Sequence, residues 1–280
     1  MADTWHKLKE WPEVYLERLT DAGVARVVLN RPAKRNALTE ALVASFHEAL
    51  EIIRAEPGLK VVITKGAGPS WSAGLDLRDL RGLEQNAAQR DWDRPTGHTR
   101  LIESFRDFPR ITIAQVHGYC LGGSMAFMNV HDLVFAAEDA QIGMPEVPRG
   151  SFGQNATSTL FRHANIPIKK AAFIALTARN VSGVEADRLG LVSLCAPAKD
   201  LEATTNGIAR EIASRHLTPL QHHKIAAHMG RDLTFIEAVK LDNLLGVRQA
   251  GGIDATGSVD EWLESQKGGP NRNYKRPDKT

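Results

Sequence analysis

Gly122 and Gly123 close an apolar run, "ITIAQVHGYCL", and open a helical pattern, "GSMAFMN". A strand that turns into a helix over two glycines brings bare backbone against whatever lies at the junction, because no Cβ holds a neighbour away. The helix start leaves N–H groups without intrahelical partners, at the positive end of the helix dipole, which suits developing negative charge. A second junction of this kind, "WSAGLDL" at 71–77, follows the run "LKVVITKG". Two such ends facing one another would make an oxyanion hole; either alone is explained as readily by tight strand-to-helix packing. Neither continues into Gly-Lys-Ser or Gly-Lys-Thr, which excludes a nucleotide P-loop, and the spacing fails the dinucleotide fingerprint.

The rest of the pattern sets these junctions in an α/β chain. "VYLERLTDAGVARVVLNRP" has two β-type runs around Asp21-Ala22-Gly23 and reads as a hairpin stopped at Arg31-Pro32. Thr39, a suitable N-cap, starts a helix with Leu42, Phe46, Ala49, Leu50 and Ile53 at helical spacing, and Pro57-Gly58 ends it. A short buried strand, "LKVVITKG", precedes a helix beginning near Asp76. The stretch from Ala87 to Phe108 is helical in pattern but broken at Arg94-Pro95 and Gly97. After the strand "ITIAQV" and the glycine pair come "DLVFAA" and a short strand around Gln141 to Gly143. Beyond Asn155 helices dominate apart from "LVSLCA", with Pro219 as the boundary between one helix near 201–216 and later ones near 221–229 and 235–248. No sequence repeat of the solenoid kind accompanies the alternation.

Composition removes several classes of function. Lys and Arg number 35 against 33 Asp and Glu, with a basic stretch only in the tail "NRNYKRPDK", so nucleic-acid binding is not expected. No run approaches the roughly 20 apolar residues of a membrane span, and "MADTWHKLKEWPE" is charged, so a cytoplasmic soluble protein is expected. Cys120 and Cys195 lie far apart in apolar surroundings and read as buried, reduced thiols. His222, His223 and His228 lack acidic or thiol partners and zinc spacing, so no metal site is expected. No Gly-x-Ser-x-Gly elbow supports a serine hydrolase.

Four motifs occur in order: "LNRPAKRNALT", "WSAGLDL", "VHGYCLGGSMA" and "AQIGMPEVPRGSFG". Together they resemble the crotonase, or enoyl-CoA hydratase/isomerase, superfamily from about Val14 to Trp262. The resemblance implies a spiral of repeated ββα units over 1–200, a helical trimerisation region at 201–265 and a basic tail at 266–280. It also implies a homotrimer or hexamer and an acyl-CoA thioester as substrate. Coenzyme A is then part of the substrate, and no separate cofactor is expected. By position, the N–H groups of Leu75 and Gly123 would hold the thioester oxygen as an enolate develops. Ala73 matches the position that recognises adenine, and Lys34 and Arg35 could approach the CoA phosphates. Ala37 and Asp76 fall at substrate-binding positions, Met144 and Phe152 would line the acyl pocket, and Gln154 and Asn155 are candidates for orienting water or substrate. Capping the following helix is the alternative role for Asn155.

The chain departs from the hydratase pattern where chemistry is decided. Hydratases of the family carry two glutamates; here the first position is Ala126, and only Glu146 in "GMPEV" matches the second. A two-glutamate hydratase is therefore not expected. One carboxylate suffices to shift a proton between carbons, as in the enoyl-CoA isomerases. The hydroxycinnamoyl-CoA hydratase-lyases, with a small residue at the first position, are similar in "WSAGLDLRDL" and in Asn155, but their tyrosine position falls on Leu80. Glu146 in an apolar pocket would have a raised pKa suited to acid/base work. The expected activity is double-bond isomerisation or atypical hydration. Alternatives are carbon–carbon cleavage, decarboxylation or thioester hydrolysis, and, from another class, non-catalytic acyl-CoA binding. The polar segment 82–99 is expected to shape the acyl pocket, and His117, where the family commonly has Asn, has no assigned role.

Overall fold

The structure is a computed structural model that describes residues 3–79 and 96–250. Its first strand, β1 (Trp5–Glu10), comes from a stretch too polar to announce itself, with only its tryptophan half-buried. It pairs antiparallel with β2 (Val14–Leu19), which turns through Asp21 and Gly23 into β3 (Val24–Leu29), the expected hairpin. All six residues of β3 are buried, so both of its faces are covered. From there every strand of the main sheet runs parallel: β4 (Val61–Gly66), β5 (Ile111–Val116), β7 (Leu133–Ala137) and β10 (Leu194–Ala196), with strand order β1-β2-β3-β4-β5-β7-β10. Parallel strands need crossovers, and these supply the helices.

A second layer repeats the same move. Leaving β4, the chain makes an isolated parallel bridge at Ser72 with Cys120 of β6 (Tyr119–Leu121). β5 leads to β6 and then to a helix; β7 leads to β8 (Gln141–Gly143), which pairs with β6 and with the short β9 (Val181–Ser182). Each circuit thus visits the large sheet, then the small one, then a helix. This is the repeated ββα plan expected from the sequence.

The helices follow from local signals. α1 (Glu40–Ala55) is capped by Thr39, whose hydroxyl accepts from Leu42 N–H at 2.9 Å and donates to the Glu13 carboxylate. It buries Leu42, Val43, Phe46, Ala49, Leu50 and Ile53, one face at helical spacing. α2 (Gly97–Arg106) begins at the glycine where the sequence pattern breaks, capped by Thr96. α3 (Gly123–Asn129) starts on the glycine pair. Phe46 meets Phe127 of α3 edge-on at 5.3 Å and Phe105 of α2 at 5.7 Å, and Trp71 stacks on Phe127 at 5.6 Å, so three helices and the "WSAGL" loop share one aromatic core. Offset and edge-on ring pairs of this kind add about 0.5–1.5 kcal/mol beyond area burial.

Four further helices, α4 (Gln154–Ser158), α5 (Ile168–Thr177), α6 (Gly183–Leu189) and α7 (Leu201–Ala213), complete this part; a π-helical turn at Thr159–His163 continues α4. α6 has the reciprocal capping box of Ser182 and Glu185. Arg26 of β3, 7% exposed, pairs with Glu17 at 2.6 Å and with Glu202 at 2.7 Å, fastening α7 to the sheet. The chain divides into two compact units, Met1–Gln221 and His222–Thr280. α8 (Leu217–Gly230) carries Pro219 in its first turn, where a missing N–H is harmless, so the helix begins earlier than the proline suggests. In the second unit α9 (Phe235–Ala250) is capped by Thr234 and Glu237 and exposes Phe235, Ile236, Leu244 and Val247. No described helix is long and apolar enough to cross a membrane.

Cys120 is buried, which pushes its thiol up to about 12 and leaves it inert. Cys195, expected buried, is partly exposed because β10 is an edge strand of the large sheet. Replacing Thr39 with Ala should cost about 1–2 kcal/mol of stability. Thermal unfolding should show a Tm several degrees lower, with Thr39→Ser retaining most of it; an unchanged Tm for the alanine variant would remove the cap from its assigned role.

Candidate active site

Two buried serines bring the glycine junctions together. Ser124 Oγ donates to the Ser72 carbonyl at 2.9 Å and accepts from Leu121 N–H at 2.8 Å; Ser72 Oγ donates to the Asn36 carbonyl at 2.8 Å. Asn36, fully buried, donates through Nδ2 to the carbonyls of Ala67 and Ser70 at 2.9 and 2.7 Å, which ties the "RPAKRNALT" loop into the same knot. Gly74 (φ +93°) and Gly122 (φ +57°) hold backbone angles that strain other residues. A Cβ on Gly74 would lie 2.4 Å from the Leu121 carbonyl oxygen and 3.3 Å from Gly123 N, so only glycine lets the junctions meet.

Their N–H groups are left for something else. The bridge between Leu38 and Leu75 uses the Gly74 carbonyl and the Asp76 N–H, at 2.8 and 2.9 Å, and leaves the Leu75 N–H outside it. Gly123 is the first residue of α3, where an N–H has no intrahelical acceptor. Neither donates to an acceptor among the described residues. Both residues line a cavity of about 470 Å³, which Leu38, Val43, Ala73, Asp76, Phe152 and Asn155 also line.

Glu146 lines the same cavity, just ahead of a short 3₁₀ turn. Its Oε1 lies 2.6 Å from where a Cβ on Gly122 would be, and its Cδ 3.1 Å from the corresponding point on Gly153, so two glycines make room for the carboxyl group. Oε2 is shielded from solvent and has no hydrogen-bond partner among the described residues. Burial raises the Glu146 pKa above the ordinary carboxylate value, against a smaller opposing pull from its own backbone and from Arg149. A carboxyl group kept half-dry beside the cavity, with one oxygen lacking a partner among the described residues, has the setting of a proton carrier.

His98 belongs to none of the four motifs, yet it forms part of the wall. Its Nε2–H donates to the Gly123 carbonyl at 2.9 Å, while Nδ1 faces Asn155 Nδ2 at 3.2 Å. Burial lowers its pKa and keeps the ring neutral. The partners lie 25 and 57 residues away, so no local pattern marks the histidine. Asn155 lies inside α4, whose N-cap is Gly153, and therefore does not cap it.

Of the positions picked out in the sequence, Ala73, Leu75, Asp76, Gly123, Glu146, Phe152, Gln154 and Asn155 share this one cavity. Phe152 is 73% exposed and forms rim, not inner wall. Met144 is 3% exposed and Ala126 fully buried; both belong to the core behind the cavity. Asp76 also pairs with Arg31 at 3.1 Å and accepts from Arg78 N–H, the latter being the larger cause of its lowered pKa. Lys34, Arg35 and Ala37 lie outside the lining: the first two are exposed, with Arg35 over the Tyr119 ring at 5.0 Å, and the Ala37 carbonyl accepts from Arg31 at 2.6 Å. His117 donates through Nε2 to the Gly68 carbonyl at 2.9 Å and so holds the loop after β4. Leu80 and residues 82–95 of the polar segment lie outside the described residues. Among the described residues no group of three His, Cys, Asp or Glu is placed to hold a metal.

The fold and these motifs match known proteins. The enoyl-CoA hydratase/isomerase family profile covers residues 19–267. A hydroxycinnamoyl-CoA hydratase-lyase from Pseudomonas fluorescens is 27% identical over 241 residues, 80% of this chain and 81% of the relative. A putative enoyl-CoA hydratase from Thermus thermophilus is 32% identical over 198 residues, 71% of this chain and 78% of the relative. A crystal structure of an enoyl-CoA hydratase from Mycobacterium smegmatis superposes with a TM-score of 0.82 at 23% identity, over 91% of this chain and 97% of that one. The chain belongs to the enoyl-CoA hydratase/isomerase family, within the crotonase superfamily of enzymes.

The raised pKa of Glu146 has a stability consequence. The folded state holds this proton more tightly than the unfolded chain, so the contribution is fully present below the ordinary carboxylate pKa and is lost as pH rises through the raised value. Glu146→Gln, which cannot ionise, should have a higher Tm than the parent at neutral pH. The difference should close as pH falls below the carboxylate range; a gap independent of pH would contradict the burial cause.

Proposed function

We propose that this protein is an acyl-CoA-processing enzyme that uses a single carboxylate, Glu146, to move a proton along an enoyl thioester. The observation that carries the reading is a half-buried glutamate, whose Oε2 has no partner among the described residues, on one cavity with Leu75 and Gly123, whose N–H groups have no acceptor among those residues, while Ala126 offers only a methyl group.

With a 3-enoyl thioester bound, the Glu146 carboxylate removes a proton from the carbon next to the thioester carbonyl. The C–H electron pair becomes the enolate double bond, and negative charge moves onto the thioester oxygen. N–H groups of Leu75 and Gly123 form the oxyanion hole; donors fixed in this way contribute roughly 10²–10³-fold each to rate. The enolate then collapses, and the Glu146 carboxylic acid returns the proton to the γ-carbon, giving the conjugated 2-enoyl thioester. No water is consumed, so a second carboxylate is not required.

Carbon–carbon cleavage is the second reading. It is favoured by the likeness to the Pseudomonas fluorescens hydratase-lyase, and it would reuse the same hole and glutamate. The exposed apolar residues of α9 fit coverage by further copies in a homotrimer or hexamer, which light scattering on the purified chain would resolve.

A 3-enoyl-CoA should gain the conjugated-thioester absorbance without a change in mass. Glu146→Gln should lower this rate about 10²–10⁴-fold while leaving thioester affinity nearly intact. The parent's rate should fall as pH drops through a pKa above the ordinary carboxylate range, because only ionised Glu146 accepts the proton. A fully active glutamine variant would end this reading, and an 18-dalton gain on crotonyl-CoA without isomerisation would replace it with hydration.

A further inference from the structure

Asn155 spends both of its amide hydrogens inside the wall. Nδ2 donates to His98 Nδ1 at 3.2 Å and to Thr99 Oγ1 at 3.1 Å, and Thr99 Oγ1 is itself bonded to Thr96 Oγ1 at 3.0 Å. Chemistry fixes the direction. The Gly123 carbonyl can only accept, so His98 Nε2 carries the ring hydrogen; a neutral ring then has a bare acceptor at Nδ1, and the amide must turn its nitrogen toward it. What remains of Asn155 is Oδ1, to which no described residue donates, on a residue that lines the cavity.

The place of this acceptor matters. His98 packs against Gly123, where a Cβ would lie 3.3 Å from Nε2, so the His98–Asn155 pair lines the cavity beside the residue that holds the thioester oxygen in the proposed reading. A wall whose unused valence is an acceptor discriminates in one direction: it pairs with O–H and gains nothing from C–H. We propose that Asn155 is a specificity-determining residue whose Oδ1 accepts a hydrogen bond from a hydroxyl on the acyl group, and that His98 is the positioning residue that keeps the amide facing that way. The preferred substrate class is then hydroxylated acyl thioesters over plain alkyl ones. This rests on the reading of the cavity as an acyl-thioester site.

Binding is measured by calorimetry on the full chain carrying Glu146→Gln, so that nothing is turned over. The probes are butanoyl-CoA and its 3-hydroxy and 4-hydroxy derivatives. One of the hydroxylated thioesters should bind roughly tenfold more tightly than butanoyl-CoA, the scale of one net hydrogen bond. Asn155→Ala should bring that ratio to about one, because the alkyl chain makes no use of Oδ1 and the hydroxyl then has no acceptor. His98→Asn, which puts an amide oxygen where Nδ1 stood, should keep the ratio, and His98→Leu should lose it. Equal affinity for all three thioesters overturns the proposal alone. So does an Asn155→Ala variant that weakens all three alike, or His98→Asn and His98→Leu behaving identically. Binding of none of them overturns the acyl-thioester reading as well.

Discussion

Ser124 Oγ lies between two loops that are 52 residues apart in the chain and has no contact with solvent. By donating to Ser72 and accepting from Leu121, it joins the "WSAGL" loop to the start of α3. Everything around the cavity is placed by that joint. Gly74 and Gly122 can approach because they have no side chains, Leu75 and Gly123 keep N–H groups with no acceptor among the described residues, and Glu146 fits beside Gly122 for the same reason. A buried hydroxyl that satisfies a donor and an acceptor at once is rigid, since any shift leaves one of them dry and unpaired. Asn36 extends the constraint to a third loop.

The same region holds polar groups that a purely structural core would avoid. Glu146 keeps an oxygen shielded from water and without a partner, and His98 is neutral inside the wall. Neither is a mark of stability; both sit beside the glycines that leave room for them, Glu146 at Gly122 and Gly153 and His98 at Gly123. Rigidity from the core and unpaired polarity at its surface are complementary, because an acid/base group whose position wandered would find solvent and lose its raised pKa.

What the sequence discloses about this chain follows contact distance along it. α1 is legible because its cap, its apolar face and its stop all lie within the element, and the hairpin because its turn is local. β1 is not: its pattern is charged, and it is a strand only because β2 offers an open edge. Glycines and Glu146 were visible through ordered motifs. His98 was not, since its meaning depends on Gly123 and Asn155, which arrive from other elements. Met144 and Phe152 both read as pocket lining because hydrophobicity alone does not say which side of a wall a residue takes; the first lies behind it and the second at its rim.

β1 also has a consequence for how the large sheet ends. An edge strand presents unpaired backbone groups to any passing strand. Here the register slips between Lys7 and Lys9, and the exposed side chains include Lys7, which pairs with Glu10, and Lys9, which pairs with Glu48. A slipped, charged border is a poor template for a further strand. The sheet is thereby finite by construction on this side, and a chain with a long parallel interior, slow to assemble and prone to mispairing on the way, has its outermost strand built to refuse a neighbour.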